Sequence, residues 1–250
     1  MKNQELTLVY HLGELRKRLI ITLLTFIIFL FGSFIFVQDI YEWLIRDFHR
    51  ELAVLGPTDI LRIFFMISGV SAFALTIPIA AHQTWLFVKP GLTKKEQKIA
   101  LAYIPGFFTL FVAGLSFGYF VLYPIVLNFL LSLSKGQFET MFTAEKYFKF
   151  IINLTLPFGL LFEIPLIAMF LTSIGVINPK FLSKARRISY FLLTLIAIFI
   201  TPPDIMSDLL VIGPLFILYE FSVTLSKIVY RKKSKKQQSD HNIIPMKKTS

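Results

Sequence analysis

No cysteine occurs in the 250 residues, so a disulfide framework, a thiolate metal site and a cysteine nucleophile are all excluded. Charge is sparse as well. Ionised side chains make up 16% of the chain, against the roughly 25% usual in a soluble domain. Histidine appears four times, and three of these positions lie outside the apolar runs, which argues against a metal centre. No G-x-x-x-x-G-K-[ST] phosphate loop, no H-E-x-x-H pair and no G-x-S-x-G elbow is present. ATP hydrolysis, zinc hydrolysis and serine hydrolysis therefore have no support. An enzyme is the weaker class, and no catalytic residue, cofactor or metal is expected.

What the chain has instead is apolar surface. Fifty-five per cent of it is hydrophobic, with 28 phenylalanines, and the mean hydropathy is +0.69. These residues fall in runs separated by charged clusters. A run of about 18 or more suits a hydrocarbon core about 30 Å thick. The expected fold is an all-α integral membrane protein with six transmembrane helices, both termini cytoplasmic and the last two spans short. Residues 1–18 read as a cytoplasmic amphipathic start, with Leu8, Leu12, Leu15 and Leu19 at helical spacing. Residues 19–226 form the membrane domain, and 227–250 a basic, disordered cytoplasmic tail.

The expected spans are about 19–38, 63–88, 99–122, 150–174, 188–200 and 209–219. The first is retained as a span, being too long for a signal-peptide core and followed by no cleavage site. The fifth offers 13 uncharged residues, roughly 20 Å of helix, and so implies a thinned bilayer or admitted water. Between spans four and five, Asn178-Pro179 has the pattern of a helix start. Lysine and arginine total 20 in the segments on the terminal side and 6 on the other. By the positive-inside tendency the termini face the cytoplasm. The net charge of +11 thus reflects topology, with a secondary attraction to anionic membrane lipid and no nucleic-acid partner.

The loop between spans two and three concentrates the signals. Pro90-Gly91 breaks one helix, and Thr93 precedes Glu96 by the capping-box interval that starts the next. Four lysines surround that carboxylate, which is either a cap or a presented group. Glu163 stands inside the fourth span between Pro157 and Pro165, with Gly159 one turn earlier. An ionisable group there costs at least about 2.5 kcal/mol at the helix centre. It is either satisfied within the bundle or a docking site for another transmembrane segment. Glu220 poses the same question nearer the membrane surface. Asp204 and Asp208 suit a helix N-terminus, and Glu14 pairs in register with Arg18. His82 reads as a bundle residue or a proton relay.

Taken together, these segments resemble the TatC family, the polytopic subunit of the twin-arginine protein translocase. The likeness runs through His11-Leu-Gly-Glu14-Leu-Arg-Lys-Arg18, Phe87-Val-Lys-Pro-Gly-Leu-Thr-Lys-Lys-Glu96 and Phe158-Gly-Leu-Leu-Phe-Glu163-Ile-Pro. It continues in Ile200-Thr-Pro-Pro-Asp204 and Leu218-Tyr-Glu220. Gln38-Asp-Ile-Tyr and Phe138-Glu-Thr-Met-Phe-Thr-Ala look closest to the short Gram-positive branch. The resemblance implies a multi-pass protein of the bacterial cytoplasmic membrane that exports folded proteins on the proton-motive force. It implies that Glu14, Phe87 and Glu96 bind the signal peptides of twin-arginine precursor proteins. It further implies that Glu163, Thr201, Asp204 and Asp208 contact a TatA-type single-span subunit within homo- and hetero-oligomers. Asp208 and Lys89 depart from the neutral residues common at their places in the family. The competing reading is a proton-coupled secondary transporter using Glu163 and His82, against which the lack of an internal repeat counts.

Overall fold

The basic start and the first apolar run form one helix. The computed structural model describes residues 2–46, 52–133, 141–201 and 205–242. Its first element, α1 (Lys2–Ile35), passes from one run to the other without a break. Leu19, Leu23, Ile28 and Phe31 are each more than half exposed. An apolar face of that extent on a helix about 50 Å long belongs against acyl chains.

The stretch 39–62, expected as a loop, opens with another helix, α2 (Val37–Ile45). Val37, Ile40, Tyr41 and Leu44 recur at helical spacing and pack on a cluster of Ile63, Ile67, Tyr147, Phe148 and Ile151. The chain then runs through β1 (Leu52–Ala53), which pairs in parallel with β2 (Phe142–Thr143), Leu52 opposite Phe142. This two-residue ladder is a local addition to an otherwise helical fold. Two extended segments leading into neighbouring helices satisfy their backbone groups against each other.

Helix α3 (Pro57–Val88) starts at proline, and Asp59 Oδ2 accepts from the Gly56 and Leu55 amides at 3.0 and 3.2 Å. A tight turn, Lys89–Gly91, leads to α4 (Lys94–Phe117), whose axis continues through a widened π turn, Gly118–Leu122, into α5 (Tyr123–Leu133). Helix α6 (Ala144–Leu161) lies along α4. Two glycines set that approach. A Cβ on Gly118 would stand 2.8 Å from Thr155 Cα, and one on Gly159 would stand 2.7 Å from the ring of the fully buried Phe111.

These elements form one compact unit, through Leu161, and a second begins at Phe162. The second holds α7 (Ile164–Ile174), α8 (Pro179–Ile200) and α9 (Ile205–Asn242). Helix α7 ends on left-handed Gly175 with two overlapping bonds, Val176 N to Leu171 O and Gly175 N to Thr172 O. Asn178 Oδ1 accepts from the Lys180 amide at 3.1 Å and Pro179 takes the first helical position, as expected of that pair. Against α7, α9 places Ser226 2.7 Å from the Thr172 hydroxyl, and the Lys233 ammonium donates to Ser173 O at 2.9 Å.

Three expectations need correction here. The fourth span is two helices, because Pro165 in the first turn of α7 has no N–H to continue the ladder. The last span is not short. Helix α9 alone offers a 30-residue apolar stretch, Ile205–Ser234, since Glu220 lies inside the helix, paired with side chains of α8, rather than ending it. The tail expected to be disordered from 227 remains helical through Asn242, its Lys, Arg and Gln being good helix formers with no Gly or Pro among them. Among the described residues five stretches are long and apolar enough to cross a membrane. Helix α8 is not among them, because Lys180, Lys184, Arg186 and Arg187 occupy its first half.

Candidate functional site

The first group of site residues gathers where α3 ends and α4 begins. Thr93 caps α4, accepting from the Glu96 amide at 3.4 Å. Glu96 Oε2 in return accepts from the Thr93 amide at 2.9 Å and its hydroxyl at 2.8 Å. The reciprocal cap expected from the spacing is therefore made. Gln97 closes the turn, its side-chain amide donating to the Lys89 and Leu92 carbonyls at 3.1 and 3.0 Å. The Trp85 indole N–H donates to Gln97 O at 3.1 Å, tying α3 to the first turn of α4. Lys89 folds back with its ammonium 5.0 Å from the Trp85 ring centroid, a cation–π contact. His82 also stacks with Trp85, ring centroids 5.6 Å apart.

Helix α1 meets this end of α3. The His11 and Phe87 rings touch edge to face with centroids 6.2 Å apart. One turn on, Glu14 Oε1 accepts from Arg18 at 3.2 Å, and Arg18 also donates to the Gln83 side chain at 3.2 Å. Phe87 thus has Glu14 a helical turn away across α1 and Glu96 a short turn away along the chain. Both carboxylates are half-buried and both are oriented by bonds to neighbours. Such fixed acids suit a guanidinium, whose planar fork stays charged and matches a carboxylate.

The second group belongs to the other unit. Glu163 stands at the start of α7 with helical backbone angles, yet its side chain makes no cap bond. It is 6% exposed, and neither carboxyl oxygen has a hydrogen-bond partner among the described residues. Thr201 and Asp208 are joined: the Thr201 hydroxyl bonds Asp208 Oδ1 and lies 2.9 Å from Ala197 O. That link joins the end of α8 to the first turn of α9 and gives Asp208 a structural partner. Asp204 lies outside the described residues.

One cluster escaped the sequence reading. Glu220 accepts from Arg186 Nη2 at 2.8 Å and from the Tyr190 hydroxyl, with Arg186 Nε a further 2.8 Å contact. Arg186 and Tyr190 are four residues apart on one face of α8. A carboxylate in the apolar run of α9 demanded such a partner, and that periodicity was the available signal. Among the described residues no three His, Asp or Glu side chains converge as metal ligands.

Fold and polar groups together define a multi-pass helical membrane protein, with carboxylates fixed in basic turns at one helix end and another carboxyl buried at a helix break. The family model for the Sec-independent protein translocase protein (TatC) matches residues 10–214. TatCd of Bacillus subtilis (strain 168) is 59% identical over 237 residues, covering 95% of this chain and 98% of its own. TatCy of the same organism is 40% identical, covering 97% of each. A crystal structure of the twin-arginine translocase receptor TatC superposes with a TM-score of 0.77 at 33% identity, covering 88% of this chain and 99% of that one. The chain belongs to the TatC family, a protein-transport component of the Tat pathway.

Proposed function

We propose that this chain is the receptor subunit that binds twin-arginine signal peptides at the cytoplasmic face. With TatA-type single-span partners it exports folded proteins across the bacterial cytoplasmic membrane, driven by the proton-motive force. Glu14 and Glu96 receive the arginine pair, and Phe87 packs the neighbouring peptide. The observation that carries this reading is the reciprocal Thr93–Glu96 cap. It holds one carboxylate still at a loop whose end also contacts α1 beside Glu14. The surrounding Lys89, Lys94 and Lys98 disfavour any cationic peptide that fails to reach the acids.

In this reading the five apolar stretches and α8 make six spans, with Arg186 brought into the membrane border by its pairing with Glu220. Both termini are cytoplasmic, on the strength of the lysine and arginine distribution. Residues 1–18, 19–226 and 227–250 act as amphipathic start, membrane domain and basic tail. Glu163, Thr201, Asp204 and Asp208 contact the single-span partner within a homo- and hetero-oligomer.

The test is export of a reporter carrying a twin-arginine signal in cells lacking their own TatC. This chain with a TatA-type partner restores export, and a twin-lysine signal abolishes it. Equal export of both reporters would refute recognition by Glu14 and Glu96.

A further inference from the structure

The Glu14 carboxylate is already engaged by a guanidinium of its own chain. Arg18 Nη2 donates to Glu14 Oε1 at 3.2 Å, and Arg18 Nη1 donates to the Gln83 side-chain oxygen at 3.2 Å. Only 17% of the Glu14 side chain and 23% of the Arg18 side chain is exposed. With so little of the carboxylate open, a second guanidinium reaches it by taking the place that Arg18 holds.

An acid and an arginine at i and i+4 make an ordinary helix pair, but this pair has two features that a helix staple does not need. It extends from α1 to α3 through Gln83. The Arg18 Nε is buried and has no hydrogen-bond partner among the described residues. The hold on Glu14 is also slack. A charge-assisted N–H···O bond is usually about 2.7–2.9 Å long, and an arginine facing a carboxylate often makes two in parallel. Arg18 makes one, at 3.2 Å. A peptide arginine that brings its whole fork to Glu14 makes the better pair. Gln83, a neutral acceptor on the neighbouring helix, keeps the displaced guanidinium from being left without a partner.

Resting on the reading of Glu14 as a receptor for the arginine pair, we propose that Arg18 is an internal competitor for that acid. It occupies Glu14 in the empty receptor, moves onto Gln83 when a signal-peptide arginine arrives, and returns as the peptide leaves. Such a competitor lowers affinity and so favours release of the peptide.

Binding of a twin-arginine signal peptide to the full chain in nanodiscs decides this, with thermal unfolding followed in parallel. Arg18→Gln is expected to raise affinity about fivefold, the upper end of what a partly exposed ion pair is worth. In a Glu14→Gln background the same change should have no effect, because the contested acid is gone. Gln83→Leu alters no charge and removes the acceptor of the displaced guanidinium, so it should lower affinity about two- to fivefold, and only while Arg18 is present. A gain from Arg18→Gln that persists with Glu14→Gln would be general relief of charge repulsion and overturns the proposal. So does a loss of affinity on Arg18→Gln without a fall in melting temperature, which would make Arg18 part of the peptide site. Should Arg18→Gln not fold, Gln83→Leu decides alone, and unchanged or higher affinity overturns the proposal. Glu14→Gln by itself separates the two readings. If it leaves twin-arginine binding intact, the receptor role of Glu14 falls and the competitor falls with it; if it weakens binding while Arg18→Gln gains nothing, only the competitor falls.

Discussion

Glu96 caps α4 and, in the proposed function, also receives an arginine, and one substitution can separate the two. In the cap it accepts from the Thr93 amide and hydroxyl through Oε2, and a glutamine at the same position makes the same reciprocal bonds. Glu96→Gln therefore keeps the cap and loses the charge. What the helix forfeits is the favourable placement of an anion at its N-terminus, about 0.3–1 kcal/mol. What a bound arginine forfeits is a charge-assisted bond, about 1.5–3 kcal/mol, or roughly 10- to 150-fold in affinity. Thr93→Ala reverses the balance: it removes the cap, about 1 kcal/mol, and leaves the carboxylate. The assay is twin-arginine peptide binding to the full chain in nanodiscs, with a twin-lysine peptide as reference and thermal unfolding alongside. Glu96→Gln should lose most of the discrimination between the peptides with a melting shift of no more than a few degrees. Thr93→Ala should melt lower and still discriminate. If Glu96→Gln kept full discrimination, or if both variants lost it in proportion to their melting shift, Glu96 would be a cap and nothing more.

The packing at Gly159 makes a second prediction. Gly159→Ala forces a methyl against the buried Phe111 ring and should cost about 1–3 kcal/mol in unfolding experiments, with Phe111→Leu restoring part of it. In the second unit, Thr172→Val leaves the buried Ser226 hydroxyl without its partner and should destabilise by about 1–3 kcal/mol. The double change with Ser226→Ala should cost less than the sum, as a double-mutant cycle would read. Glu163→Ala should retain twin-arginine peptide crosslinking and lose crosslinking to the single-span partner, and equal loss of both would point to misfolding.

The helix starts were the most legible features, because caps are local. Thr93 with Glu96 and Asn178 with Pro179 each specify a terminus within four residues, and each terminus forms there. Gly159 was readable as a close approach, though not whose side chain would fill it. Phe111 is 48 residues away and one of 28 phenylalanines. The same limit applies to Arg18 with Gln83 and Arg186 with Glu220. Charge counting explains why each acid needs a partner, but pairing across helices depends on their packing. Helix α2 was missed because five acids and three arginines made 39–62 look like loop. Its apolar stripe is short and becomes legible only once Tyr41 is seen stacked on Phe148.

The two carboxylates at positions 163 and 220 show how similar sequence settings can carry different chemistry. Both interrupt apolar helices, and both are costly there unless partnered. Glu220 has its partners, an arginine and a tyrosine one turn apart on α8, so its role is satisfied within the second unit: it fastens α9 to α8. Glu163 has helical backbone angles at the N-cap of α7, where a carboxylate would cap, yet its side chain makes no cap bond. Among the described residues its oxygens have no hydrogen-bond partner. A group kept in that state lowers the stability of the lone chain, by about 1–3 kcal/mol even as a neutral polar group. Glu163→Leu should therefore raise the melting temperature of the isolated chain while abolishing its contact with the single-span partner. A fall in melting temperature would mean that the carboxyl is satisfied in the resting protein, and the case for a docking role would go with it.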